Sequence, residues 1–469
     1  MPVTAVAPHA FEVISPVDDQ SYVTRPYATA TEVEAAMAAA EAAQKTWRRT
    51  PLDARVAVVR AWLVEMEKRS GDLADTLSRS MGRPRWQADE MPRLKLVGEI
   101  AMREAAEVLA DAAYPTDPGI RRYVRREPLG VTLSICPWNY PTAMMSMLVT
   151  EPLIAGNVVI LKHSPQTPLT AEIAAEAFAA AGGPAGVFQA LHLSHPAAEA
   201  LIGSNRLGAV RFIGSVGGGR RVHAAAAGTH THVHLELGGK DPTYLRPDAD
   251  LTDAIPLLTE GCFSNAGQSC CSVERIYVHK DIAARFIEAF TADAANWTLG
   301  HPLDGKPMIG PVVRAVAAEQ INAQVAQALA MGARRTHAAN RFGAAELGRA
   351  YVEPEVLASC TADMPIMRDE LFGPVACIQT VSSDEEAVAL MNDSEYGLTA
   401  SVWSADIAEA EAIASDLEAG TVFVNRCDHA DLYLPWGGVK ASGIGRANAR
   451  TGVLEATQAK SFHVRRRLG

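Results

Sequence analysis

The sequence predicts an α/β protein whose sheets are parallel and covered by helices on both faces. Three observations carry this reading. Short apolar runs rich in β-branched residues recur at 131–136, 158–162, 187–193 and 209–213. Helical segments such as 169–181 lie between them, and strand–helix–strand alternation implies parallel pairing. The alternation resumes near Leu237 and runs past residue 420, with helices expected over 250–266, 281–296 and 405–419 and strands over 275–278 and 375–381.

The segment ahead of these strands reads as helical. Thr31 and Glu34 form an S/T-x-x-E capping box that opens a helix over 31–49. A second helical pattern, 53–70, stops at Gly71. A third covers about 86–113, and the tail returns to a strand-like 460–464 with a basic end. There is no long linker, low-complexity stretch or repeat of fixed period.

Composition sets outer bounds. At roughly 100–200 residues per domain, 469 residues suggest two or three domains. Hydrophobic residues at 48% and charged residues at 21% suit a soluble globular chain. The net charge of -11 argues against a nucleic-acid surface or an acidic membrane as partner. The most apolar stretch, 147–161, is broken by Glu151 and Asn157 and falls short of the ~20 residues of a membrane span. Met1–Thr4 lacks the basic patch of a signal peptide. Seven cysteines, without paired CxxC spacing, read as reduced thiols in the cytoplasm rather than a disulfide framework or zinc site.

Four segments carry chemistry. Cys136-Pro137-Trp138-Asn139-Tyr140-Pro141 follows a predicted strand, and its prolines fix the backbone around Asn139; alone it reads as a proline-rich turn. Ile213-Gly214-Ser215-Val216-Gly217-Gly218-Gly219 follows a strand and opens a helix, where backbone N–H groups can meet phosphates. It is not the G-x-G-x-x-G fingerprint. Leu235-Glu236-Leu237-Gly238-Gly239-Lys240 places an acid at a strand end, either a pocket base or a solvated glutamate. Asn265-Ala266-Gly267-Gln268-Ser269-Cys270-Cys271 sets a thiol after a glycine turn.

Together these segments, in this order, resemble the aldehyde dehydrogenase superfamily. Glu370-Leu371-Phe372-Gly373-Pro374-Val375 and Pro435-Trp436-Gly437-Gly438-Val439-Lys440-Ala441-Ser442-Gly443 match two further motifs, so the resemblance runs from about residue 12 to 465. It implies an oxidoreductase that turns an aldehyde into its acid through a thioester on Cys270. Asn139 is then the oxyanion donor and Glu236 the base that activates water. NAD or NADP would be held by Pro137, Trp138, Lys162, Ser164, Pro165, Gly214, Ser215, Gly219, Leu237, Glu370 and Phe372. Tyr140, Met144, Met147 and Trp436 would line the aldehyde tunnel, with no metal.

The resemblance also implies the architecture. A Rossmann-type cofactor domain would span 1–109 and 129–238, and an α/β catalytic domain 239–446. The segments 110–128 and 447–469 would pair subunits into a homodimer or homotetramer.

The chain departs from the family in places. Pro165 stands where many members carry a glutamate for the adenosine ribose, and Leu193-Ser194-His195 replaces a glycine-rich turn. Both leave NAD and NADP open. Leu148 and Ala447 stand where a lysine and a glutamate often assist proton delivery. His230, His232 and His234 alternate toward Glu236 and so share a face, which reads as the strand's solvent face rather than a metal site. The apolar tunnel favours uncharged aliphatic or aromatic aldehydes. Arg426 is the candidate partner for an acidic semialdehyde, and Asp428 and Asp431 for an aminoaldehyde. A CoA-acylating enzyme and a catalytically silent relative are the rival readings, each disfavoured by the presence of Glu236 with Cys270 and Asn139.

Overall fold

The computed structural model describes residues 9–465, so Met1–Thr4 and the basic end at 466–469 lie outside the described residues. Its centre is two helix-covered sheets. The first has six strands, in the spatial order Gly443–Ile444, His232–Glu236, Ala209–Ile213, Val131–Cys136, Val158–His163, Phe188–Ala190. Neighbours are parallel except for Gly443–Ile444, which runs antiparallel to His232–Glu236. Every residue of Val131–Cys136 and Val158–His163 is buried; 158–161 is an unbroken apolar run, whereas Val131–Cys136 carries Thr132 and Ser134, the latter donating to the Leu148 carbonyl.

Strand order decides where the site lies. From Val131–Cys136 the chain adds two strands on one side. It then returns to add Ala209–Ile213 and His232–Glu236 on the other. The order therefore reverses between Val131–Cys136 and Ala209–Ile213, and a crevice opens at their carboxyl ends. Both glycine- and proline-rich motifs begin at that point.

The second sheet has seven strands, with Val375–Val381, Val273–His279, Asp241–Leu245 and Thr399–Trp403 at its middle. Only the edge pair Arg334–Arg335 and Glu355–Ala358 is antiparallel. Leu237–Lys240 joins the end of His232–Glu236 directly to the start of Asp241–Leu245. The crevice thus lies between the carboxyl end of one sheet and the amino end of the other. A third sheet pairs Ile120–Pro128 with Ala112–Tyr114 and with the tail strand Thr457–Arg465.

The helical amino-terminal part differs from expectation in three places. The first helix is Ala30–Trp47, and its capping box is Thr29 with Glu32, two residues earlier than the Thr31–Glu34 pair. Both pairs fit the motif, and Thr29 takes the extended cap conformation. Gly71 does not end a helix: it lies in the first turn of Ser70–Met81, which stops at Gly82 in the left-handed region (φ 90°). The third stretch begins later, as Met91–Val108, with a Pro at its first turn.

Candidate active site

A cavity of about 600 Å³ occupies the crevice between the sheets. Of the residues singled out from sequence, Pro137, Trp138, Asn139, Tyr140, Met144, Met147, Gly214, Ser215, Glu236, Leu237, Cys270, Glu370, Phe372 and Trp436 line it. Lys162, Ser164, Pro165 and Gly219 do not line it.

The thiol sits on a loop with an unusual backbone. After the helix Leu251–Phe263, Asn265, Ala266 and Gly267 all take positive φ (53°, 56° and 68°). This turns the chain sharply ahead of Cys270. A side chain at Gly267 would meet the carbonyl oxygen of Gly373 at 2.1 Å, so glycine is required there. Asn265 and Asn139 both donate side-chain N–H bonds to the Gln268 carbonyl, at 3.1 and 3.2 Å. The Gln268 side chain is fixed in turn, donating to the Asn265 carbonyl and accepting from the Val313 amide. Asn139, Asn265 and Gln268 therefore belong to one hydrogen-bonded unit, two residues ahead of Cys270.

Sequence reasoning missed the residue that braces this unit. Buried Arg83 donates to Asn265 Oδ1 at 3.0 Å, to the Asn139 carbonyl at 2.5 Å and to Glu90 at 2.6 Å, and it stacks over the Tyr140 ring. Glu90 also accepts from the amides of Thr142 and Ala143, fixing the turn after Asn139. Neither residue belongs to a motif, and no sequence spacing connects them to residue 139 or 265.

Cys270 is partly exposed to the cavity, whereas Cys271 is buried. Cys271 donates to Asp428 at 2.8 Å, and the Cys270 thiol together with burial pushes the Cys271 thiol well up from the ordinary range. Both cysteines line the cavity, and Cys270 is the more exposed of the pair.

Glu236 ends its strand 3% exposed. Burial pushes its carboxyl well above the usual carboxylate range, opposed by Arg446 and Arg211. Its Oε1 is 3.0 Å from His234 Nε2, and its Oε2 has no hydrogen-bond partner. His234 corrects the sequence reading of a solvent face: His232 is exposed, but His234 is 4% exposed. The alternation is right, yet the face becomes covered partway along: Gly445, just past the edge strand Gly443–Ile444, lies against the His234 ring.

The residues on the cofactor side fit a dinucleotide. Ser215 caps the helix Val216–Ala226, its Oγ accepting from the Gly218 amide, and that helix N-terminus faces the crevice. Gly217 has open space where a side chain would be, as a closely approaching phosphate requires. Gly219 instead packs on Leu237. Glu370 accepts from the Gly239 amide, and burial raises its carboxyl to about 8. Trp138 and Phe372 meet edge to face, 5.4 Å apart. The lysine of the Leu235–Lys240 segment is structural: buried Lys240 pairs with Glu274 at 2.5 Å, and Glu274 also accepts from the Leu371 and Phe372 amides. Lys162 is buried at its strand end, and burial lowers its ammonium to about 8. The adjacent Ser164 and Pro165 offer no carboxylate.

Tyr140, Met144, Met147, Ala430 and Trp436 form the apolar wall beside Cys270. Of the charged candidates, Asp428 reaches the cavity, but Arg426 and Asp431 do not. Arg93, Glu260 and Arg314 line it, and sequence reasoning passed over them. Among the described residues no group of three or more His, Cys, Asp or Glu is placed to hold a metal ion, and no helix is long and apolar enough to cross a membrane.

Residues 3–462 match the aldehyde dehydrogenase family. The chain is 34% identical to a succinate semialdehyde dehydrogenase [NAD(P)+] of Escherichia coli, over 96% of each chain. It is 32% identical to a betaine aldehyde dehydrogenase of Agrobacterium fabrum, covering 97% of this chain and 92% of that one. Among solved structures it resembles a succinic semialdehyde dehydrogenase from Streptococcus pyogenes in complex with NADP+, with TM-score 0.91, 28% identity and coverage of 97% and 100%.

Proposed function

This chain belongs to the aldehyde dehydrogenase family, and from that premise we propose that Cys270 is its nucleophile, Asn139 its oxyanion donor and Glu236 its hydrolytic base. The overall reaction converts an aldehyde to its carboxylic acid with NAD or NADP. The Cys270 thiolate adds to the carbonyl carbon, and the oxygen becomes an alkoxide. Asn139 Nδ2 and the Cys270 amide stabilise that charge. A bound nicotinamide would supply the hydride acceptor, whose use would leave a thioester on Cys270. Glu236 takes a proton from water, which attacks the thioester; the acid leaves, and the thiolate is restored.

The observation that carries this reading is the shared cavity: a partly exposed thiol, a fixed side-chain amide and a buried carboxyl group face one space. Glu236 also separates hydrolysis from transfer to CoA. Cys270→Ala should abolish oxidation while the cofactor still binds. Added CoA should not raise turnover.

The cofactor domain is assigned to 1–109 and 129–238 and the catalytic domain to 239–446. Residues 110–128 and 447–469 are assigned to subunit pairing in a cytoplasmic homodimer or homotetramer, whose seven cysteines are unpaired in this structure.

The apolar wall beside Cys270 favours uncharged aliphatic or aromatic aldehydes, since burying their carbon contributes about 25 cal/mol per Å². An unpaired charge there is costly, and Arg426, the acid-binding candidate, lies outside the cavity. Asp428 lies in the wall and favours a second reading, a cationic aldehyde, although burial and Cys271 push its carboxyl well above the usual carboxylate range. Comparing kcat/KM for hexanal, benzaldehyde, succinate semialdehyde and an aminoaldehyde decides between them. A clear preference for succinate semialdehyde refutes both and directs attention to Arg93.

A further inference from the structure

We propose that Arg83 is a positioning residue for thioester formation. It holds the backbone of Asn139 in register with the thiol loop and sets the sense of the Asn265 amide that joins them. The proposal rests on the assignment of Asn139 as the oxyanion donor.

The two halves of the site come from different sheets. Asn139 follows the strand Val131–Cys136 of the six-stranded sheet, whereas Asn265 and Gln268 precede the strand Val273–His279 of the seven-stranded one. Arg83 belongs to neither sheet. It lies two residues past the helix Ser70–Met81, where left-handed Gly82 turns the chain. A side chain at Gly82 would meet the Pro311 carbonyl oxygen at 2.6 Å, and the Arg85 amide donates to the Pro302 carbonyl. The turn that carries Arg83 is thus seated against 302–311. Two residues further on, the Val313 amide donates to Gln268 Oε1 at 2.7 Å.

The sense of each bond follows from which groups can donate. A guanidinium only donates, and a backbone carbonyl only accepts. Arg83 Nε therefore requires Asn265 Oδ1 as its acceptor, at 3.0 Å. The Asn265 amide must then turn Nδ2 to the carbonyls of Gln268 and Asn139, at 3.1 and 3.3 Å. Arg83 Nη2 donates to the same Asn139 carbonyl. The Gln268 carbonyl also accepts from Asn139 Nδ2 at 3.2 Å, so Asn139 presents its N–H end to the thiol loop. One N–H of that nitrogen is held there. Among the described residues the other meets no acceptor, and Asn139 lines the cavity together with Cys270.

Glu90 extends the grip. Its Oε1 accepts from Arg83 Nη1, and its Oε2 accepts from the Thr142 and Ala143 amides, both at 2.8 Å. Arg83 thus holds residue 139 directly and the turn after it through Glu90. Arg83, Glu90, Asn139, Asn265 and Gln268 are all buried, so water does not readily replace a lost contact.

Arg83→Lys keeps the charge beside Glu90 but loses the planar fork that reaches three acceptors from three nitrogens. It should bind cofactor as tightly as the unaltered enzyme in a fluorescence titration. The rate of its first-turnover burst of reduced cofactor should fall roughly 10- to 100-fold. Asn265→Asp keeps an oxygen toward Arg83 but sets a second oxygen against the Gln268 and Asn139 carbonyls, and should slow the burst likewise. If Arg83→Lys does not fold, Asn265→Asp decides. Losses that act through one oxyanion donor do not add. In an Asn139→Ala background, Arg83→Lys should therefore slow the burst by less than about threefold more, whereas a general loosening of the fold would impose its full factor again. The proposal is overturned if either single variant bursts at the unaltered rate, or if the double variant shows the full product of both losses. Asn139→Ala separates the two layers. If it bursts at the unaltered rate, the oxyanion assignment fails and the proposal with it. If it slows the burst while Arg83→Lys does not, only the positioning role fails.

Discussion

Around Cys270, the amides of Asn139, Asn265 and Gln268 and the guanidinium of Arg83 are tied into one another by hydrogen bonds of 2.5–3.2 Å. Around Glu236, by contrast, buried atoms of Glu236, Arg211 and Asn448 have no partner at all. Both regions are polar and buried, yet only in the first do protein groups satisfy one another. The difference matches their tasks. A nucleophile and its oxyanion donor gain from being fixed before reaction, because positions set in advance need no reorganisation as charge develops. Beside the base, groups that the protein leaves unmet are open to water, the reactant it must activate.

Three predictions can break or sharpen that contrast. The largest concerns the saturated side. Asn139→Ala removes the oxyanion donor and the tie to the Gln268 carbonyl together, so kcat should fall about 10²- to 10³-fold. Rapid-mixing kinetics should show the burst itself slowed. An unchanged burst rate would mean that the network fixes a residue the chemistry does not use.

The second concerns the unsaturated side and its pH dependence. Glu236 acts as an ionised base, and burial raises its pKa well above the usual carboxylate range. Deacylation should therefore be present above that raised pKa and lost as pH falls through it, by about tenfold per pH unit. The burst amplitude should not follow the same curve. A steady rate that stays level down to the ordinary carboxylate range would contradict the buried-base assignment.

The smallest effect belongs to the neighbouring thiol. Cys271→Ala loses one sulfur contact to Asp428 and should change kcat by less than about threefold, under 1 kcal/mol. Loss comparable to that of Cys270→Ala would void the distinction between the two cysteines.

How far the sequence shows this arrangement depends on range. The strand Val158–His163 is legible because burial on both faces writes itself as a run of β-branched and apolar residues. The helix Ser70–Met81 is not, because its early Gly71 imitates a terminator. In the site, motif residues facing the cavity are legible by their order along the chain. Arg83, Glu90 and Glu274 are not, since a buried ion pair is specified by two distant positions that local pattern cannot join. His234 is an intermediate case. Alternation shows which face it shares, but only the returning chain at Gly443–Gly445 shows that the face is covered.

The contact between Gly267 and Gly373 has a consequence for recombination. The two loops lie 106 positions apart in sequence yet press backbone against backbone, leaving no room for even one carbon atom between them. A chimaera whose crossover falls between these positions joins a thiol loop from one parent to a facing loop from another. Such a hybrid keeps its reaction centre only if both parents carry bare backbone at this seam. Crossovers that keep 267 and 373 from the same parent escape the constraint, so segment exchange should place its junctions outside that interval.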